Sequence, residues 1–200
     1  MFDRDDCWEY TLESDGLFSV KSAREYIDRK LLPSSTVETL WFKFVPRKIN
    51  IFLWRLRLDS LPLRWNLSAR GIDANSIVCP ICSNGREIRD HLFFDCSVST
   101  ALWAKVCIWL NCNMPSFQSW DYFISWIDGS RLSHINKDRI KAVVITLFWV
   151  LWRFRNGIVF NDTFCNRCNL FDFVMSLSFT WIKNRGHLVS NWNSWLSMPF

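Results

Sequence analysis

Cys79-Pro80-Ile81-Cys82 is followed by His91 after eight residues and by Cys96 after four more, a C-x2-C-x8-H-x4-C run. Four such side chains suffice for one tetrahedral ion. Two thiolates two residues apart can grip it from a single tight turn, and the imidazole and the third thiolate close the sphere from the following segment. Sulfur and imidazole nitrogen suit Zn²⁺ better than the hard cations, which prefer oxygen. With four protein ligands no position stays open for water, so Cys79, Cys82, His91 and Cys96 predict one structural, nonhydrolytic zinc. The alternative is packed thiols beside a surface histidine, and the presence of all four ligands in one short span weighs against it. Glu87 and Asp90 are near enough to accept a hydrogen bond from the free imidazole nitrogen, as outer-shell carboxylates do, with solvated surface charge as the equal alternative.

A basic stretch precedes these ligands. Lys43, Arg47, Lys48, Arg55, Arg57, Arg64 and Arg70 face only Asp59 between residues 39 and 70, whereas the first 38 residues are net acidic. The chain as a whole carries +5, so its positive excess is concentrated there. Such a patch is the electrostatic footprint of a phosphate-backbone binder, with a solvated helix face as the alternative. Trp54 and Trp65 lie among the cations and would supply stacking planes if exposed.

The remaining chemistry-bearing residues form no second centre. Cys165 and Cys168 make another C-x2-C pair, but only His187 follows them, and closed zinc sites want four ligands. Cys7, Cys107 and Cys112 are read as packing. Asp5-Asp6 lacks the upstream carboxylate of a polymerase metal site, and Trp126-Ile127-Asp128-Gly129-Ser130 is read as a turn, since the acids after it are too few for a two-metal nuclease. No nucleophile elbow or phosphate-binding glycine loop occurs. The chain is therefore not expected to be an enzyme by itself.

The elements that must position these groups are mainly helical. Trp8, Tyr10 and Leu12, then Asp15-Gly16, then Phe18 and Val20 alternate as a small β-hairpin would. Ser22 and Glu25 form a capping box for a helix to about Lys30. Pro46 opens a helix whose Ile49, Phe52, Leu53 and Leu56 make its apolar stripe, and a short helix ends at Arg70 with Gly71 beyond it. Ser97 should cap a helix to about Leu110, another lies near Trp120–Trp126, and Asn136 should cap a long central one ending near Asn156-Gly157. The last runs from about Asn169 to Arg185. The predicted fold class is mainly α with an N-terminal β-hairpin, a zinc-knuckle-like CCHC module between helices, and a helical C-terminal region.

Trp8, the Gly16–Ser22 segment, Val45-Pro46-Arg47-Lys48, Phe52-Leu53-Trp54-Arg55, Leu61-Pro62, Arg70-Gly71, Cys79-x2-Cys82, Glu87, His91-Leu92-Phe93 and Cys96 together resemble the zinc-binding domain that follows the reverse transcriptase in plant LINE-type, non-LTR retrotransposons. The resemblance covers residues 8–110 and leaves 111–200 as a helical extension packed on that domain. It implies a nucleic-acid-binding accessory module with the same four zinc ligands, acting on RNA or single-stranded DNA beside a reverse transcriptase supplied in trans. A polymerase activity would be inherited from a longer parent, because no polymerase palm is present. The alternatives are a protein-interaction module with a Trp-rich surface and a retroelement remnant without activity.

Composition sets the outer bounds. In 200 residues, half of them hydrophobic, 13 Trp and 17 Phe stand against 6 Gly, so large rigid side chains must fill a core or meet a partner. The acidic start lacks a secretory pattern, which points to a nonsecreted protein of the nucleus or cytoplasm. The apolar run Ala142–Trp152 is shorter than a bilayer span, and no membrane association is expected.

Overall fold

The computed structural model describes residues 10–13, 15–31, 40–112, 115–160, 166–186 and 191–197. Trp8, Asp5, Asp6, Cys7, Cys165 and His187 lie outside them. The chain divides into two compact units, one up to Thr39 and one from Leu40 onward.

In the first unit the expected hairpin is absent. Among the described residues there is no β-strand, and the one bridge, Val78 to Arg86, lies far along the chain. The reason is visible around Gly16, whose φ of +69° lets its N–H bond back to the Glu13 carbonyl. The chain then enters helix α1, Val20–Leu31, instead of returning beside Tyr10. Tyr10 and Phe18 do meet, but as rings edge to face 5.2 Å apart. Tyr10 Oη bonds to Ser22 Oγ at 2.8 Å and donates to the Ser19 carbonyl at 3.3 Å, so the hydroxyl is consumed at the helix start. Ser19, not Ser22, is the cap, its Oγ accepting the Ser22 N–H.

The second unit is built around helix α6, His134–Phe160. Its residues Ala142 to Phe148 are buried without a break, which is why no single apolar stripe marks it. By length and composition this helix could cross a membrane, but 67% of its most apolar stretch is buried inside the protein. It begins earlier than expected because Ser133 Oγ accepts the Asn136 N–H, and it continues through Gly157 for another turn.

Helix α2, Arg47–Arg57, starts at Pro46 and buries Ile49, Phe52, Leu53 and Leu56, as its spacing predicts. A buried amide secures its approach: Asn50 Oδ1 accepts the Phe42 N–H and Asn50 Nδ2 donates to the Phe42 carbonyl, both at 2.9 Å. Helix α3, Arg64–Ala69, ends at Arg70 with Gly71 at φ +76°. After the cysteine-containing segment come α4, Ser97–Trp109, α5, Trp120–Gly129, α7, Leu170–Trp181, and a short α8, Trp192–Leu196. Helix α7 packs along α6, and α2 and α4 pack against α6 and α7 respectively.

The aromatics fill this core. Phe148 on α6 meets Phe93, Phe94, Trp103 and Trp120 at centroid distances of 5.4, 5.4, 5.9 and 5.7 Å. Phe52 on α2 meets Phe93, Trp149 and Trp152 at 6.2, 5.3 and 6.1 Å. Each such pair contributes ~0.5–1.5 kcal/mol beyond its area burial. Residues from the metal-ligand stretch and from the C-terminal helices thus share one core.

Candidate metal centre

The first two ligands sit on a knuckle. Cys79 N–H donates to the Gly85 carbonyl at 3.0 Å and Ser83 N–H to the Cys79 carbonyl at 2.9 Å, closing a turn in which Ser83 and Gly85 take φ of +55° and +69°. Glu87 N–H donates to the Ile77 carbonyl at 2.7 Å and fixes the returning arm of this turn. The chain next makes one wide helical turn, His91–Asp95, with i to i+5 hydrogen bonding. Cys96 N–H bonds to the His91 carbonyl at 2.7 Å, so the last two ligands are spaced by that turn.

One ligand atom from each of Cys79, Cys82, His91 and Cys96 lies within 4.8 Å of every other. Thiolate and imidazole ligands about 2.0–2.3 Å from a tetrahedral ion sit about 3.5–3.8 Å apart, so the four need to contract by about 1 Å at most. Cys82 Sγ and His91 Nε2 are already 3.3 Å apart. Cys79 and Cys96 are fully buried, Cys82 and His91 partly so. Three sulfurs, one nitrogen and burial together fit a structural zinc and leave no position for a substrate.

The electrostatics agree. The Cys79 thiol bonds to the Cys96 sulfur, which holds the Cys96 thiol down to about 5 and, with burial, pushes Cys79 up. The backbone N–H groups of Val98 and Ser99 add to the effect on Cys96, which stands as N-cap of α4. That position corrects the expectation that Ser97 caps this helix. Without an ion the pair retains one proton, and binding a metal displaces it.

Gly85 is required twice. Its φ is left-handed, and a Cβ there would stand 3.2 Å from His91 Cε1 and 3.4 Å from Nδ1. The ring lies flush on the knuckle because residue 85 has no side chain.

Of the two readings of Glu87 and Asp90, neither an imidazole partner nor plain solvated charge describes them: both are engaged by arginine. Asp90 accepts from Arg89 Nε at 2.8 Å. Glu87 is fully buried and accepts from Arg155 Nε at 2.6 Å, Arg155 Nη2 at 2.8 Å and the Arg64 N–H at 2.8 Å. Arg155, itself 3% exposed, also donates to the Pro62 carbonyl at 3.2 Å and stacks over Trp152. This grip ties the knuckle to α6 and to the start of α3. Sequence reasoning missed Arg155, which lies 68 positions from its partner and just past the run read as apolar.

The seven predicted cations divide in two. Lys43, Arg47, Lys48, Arg55 and Arg70 are exposed, Arg55 also donating from Nη2 to the Ser60 carbonyl at 3.3 Å. Arg57 pairs with Asp121 at 3.5 Å, and Arg64 Nη1 donates to the Val78 carbonyl at 2.7 Å, so both serve the fold. Trp54 and Trp65 are 40% and 38% exposed, and Arg86 lies 5.0 Å over the Trp65 ring. Asp128, in the segment read as a turn, belongs to the last turn of α5 and pairs with Lys141 at 2.6 Å.

Residues 18–103 match the family model described as zinc-binding in reverse transcriptase. The match contains all four ligands and all seven cations. No curated protein and no solved structure matches the chain.

Proposed function

We propose that this chain is a noncatalytic, zinc-stabilised module that binds RNA or single-stranded DNA, derived from a plant LINE-type retrotransposon and working beside a reverse transcriptase supplied in trans. The observation that carries the reading is the outer face of α2. Arg47, Lys48 and Arg55 stand there around a partly exposed Trp54, a combination that serves both phosphates and unpaired bases. Zinc would contribute rigidity: held by Cys79, Cys82, His91 and Cys96, it would lock the knuckle whose Glu87 fixes the start of α3 through the Arg64 N–H. The reaction chemistry would belong to the polymerase.

Five exposed cations each meeting one phosphate give a log–log salt slope of about −3.5 on a single strand, hence about a 100-fold loss of affinity between ~50 and ~200 mM salt. The test is a salt titration on labelled single-stranded RNA and DNA, with the Arg47→Glu, Lys48→Glu, Arg55→Glu variant alongside. Affinity that ignores salt, or survives the charge reversal, overturns the electrostatic reading. A second reading, a protein-docking surface, is favoured by one observation: Ile51, Trp54 and Leu58 are 50%, 40% and 38% exposed on the same face. Salt-independent binding of a protein partner that Trp54→Ala abolishes would select it.

A further inference from the structure

Helix α4 ends in a motif that brings together two thiols outside the metal centre. Leu110 caps the helix, Asn111 takes φ +48°, and Asn111 N–H donates to the Ile108 carbonyl at 3.1 Å. Cys112 N–H then donates to the Cys107 carbonyl at 3.2 Å. These two bonds define a Schellman ending, which frequently brings the side chains of the third-last helical residue and of the second residue past the cap into apolar contact. Here both positions are cysteine. Both thiols are free and half-buried. Burial raises both above the usual thiol range, and a charge on Cys107 raises Cys112 further, as expected of neighbours.

A reagent can approach Cys107. Cys107 lines a surface cavity of about 370 Å³ with Phe94, Trp103 and Phe117. The nearest zinc ligand by sequence, Cys96, sits at the opposite end of α4. The pair therefore stands apart from the metal-binding sulfurs.

We propose that Cys107 and Cys112 form a thiol–disulfide exchange site closed by small disulfides of the glutathione class. The Cys107 thiolate, reached through the cavity, attacks one sulfur of the small disulfide, whose S–S bond breaks. One small thiol leaves with a proton and a mixed disulfide remains on Cys107. The Cys112 thiolate then attacks the Cys107 sulfur and expels the second small thiol. Two electrons pass from the protein pair to the small disulfide, giving one internal disulfide and two small thiols. The backbone contact between the two residues supplies the close approach a disulfide needs. Because the thiolate is the nucleophile and both thiols are raised, closure accelerates as pH rises above neutrality.

The experiment uses the zinc-loaded full chain incubated with oxidised glutathione, trapped with an alkylating reagent, digested with trypsin and weighed. The expected product is the peptide 106–131, lighter by two hydrogens and alkylated at neither cysteine, from protein that retains its zinc. Cys107→Ser and Cys112→Ser should each abolish the two-hydrogen loss. Alkylation of both residues, arrest at the glutathione adduct in the unmodified chain, or linkage to a different cysteine overturns the assignment.

Discussion

Replacing Arg155 with methionine tests the strongest link between the metal knuckle and the rest of the core. The variant keeps the side-chain stem near Trp152 and removes the guanidinium. Glu87, with no side-chain exposure, then loses the donors at 2.6 and 2.8 Å and keeps the Arg64 N–H at 2.8 Å. Two charge-assisted bonds at ~1.5–3 kcal/mol each bracket a cost of ~3–6 kcal/mol. Breaking a buried pair by removing one partner costs ~3–5 kcal/mol because a charge is left stranded. The expected destabilisation is therefore about 3–5 kcal/mol, a large part of the ~5–15 kcal/mol that holds a domain together. Urea unfolding of the zinc-saturated protein followed by circular dichroism measures it. A second variant, Glu87→Gln with Arg155→Met, removes the stranded charge and should recover at least ~1 kcal/mol of the loss. Competition with a coloured chelator should show faster zinc release from Arg155→Met, since Glu87 N–H holds the knuckle through Ile77. A change below ~1 kcal/mol for the single variant, or a double variant as unstable as the single, would refute the argument.

Three further outcomes follow from the centre. Gly85→Ala, forced to keep a left-handed φ and to press on His91 Cε1 at 3.2 Å, should cost about 1–2 kcal/mol and weaken zinc retention, measured by unfolding and chelator competition. Cys82→Ser should bring metal content well below one zinc per chain and lower the melting temperature, whereas full occupancy would show that the fourth ligand is dispensable. In metal-free protein the Cys79–Cys96 pair holds one proton where the unfolded chain holds two below about pH 8.5. Stability from the pair should therefore rise with pH from about 5 to about 8.5 and decline above it, as the unfolded thiols ionise and the folded pair keeps its proton. Urea midpoints flat across that range would contradict the shared proton.

What could be read from the sequence was local. Ile49, Phe52, Leu53 and Leu56 announce α2 through their spacing, and the four metal ligands fall together because each is a short chain length from the next. The N-terminal alternation misled because period two is also satisfied by residues flanking a turn: Ser19 caps a helix and Tyr10 meets Phe18 through rings, with no ladder between them. Helix starts shifted for a related reason. Ser133 precedes Asn136 and was free to cap first, and Gly157 is carried inside α6 as the helix continues to Phe160. Long-range pairing was not legible at all. Glu87 looks like a surface carboxylate near a histidine until Arg155 arrives from α6, and Arg57 and Arg64 look available to a ligand until Asp121 and the Val78 carbonyl engage them.

The interleaved rings also decide how this protein can be cut. Phe93 and Phe94 come from the ligand-bearing stretch, whereas the ring they share, Phe148, comes from α6. Trimming a recombinant piece to residues 18–103 would leave Phe52 and Phe93 wet on one side, and such a piece should precipitate or need a solubilising fusion even when zinc is supplied. Because α7 packs along the same helix, a usable truncation point must lie beyond Trp181.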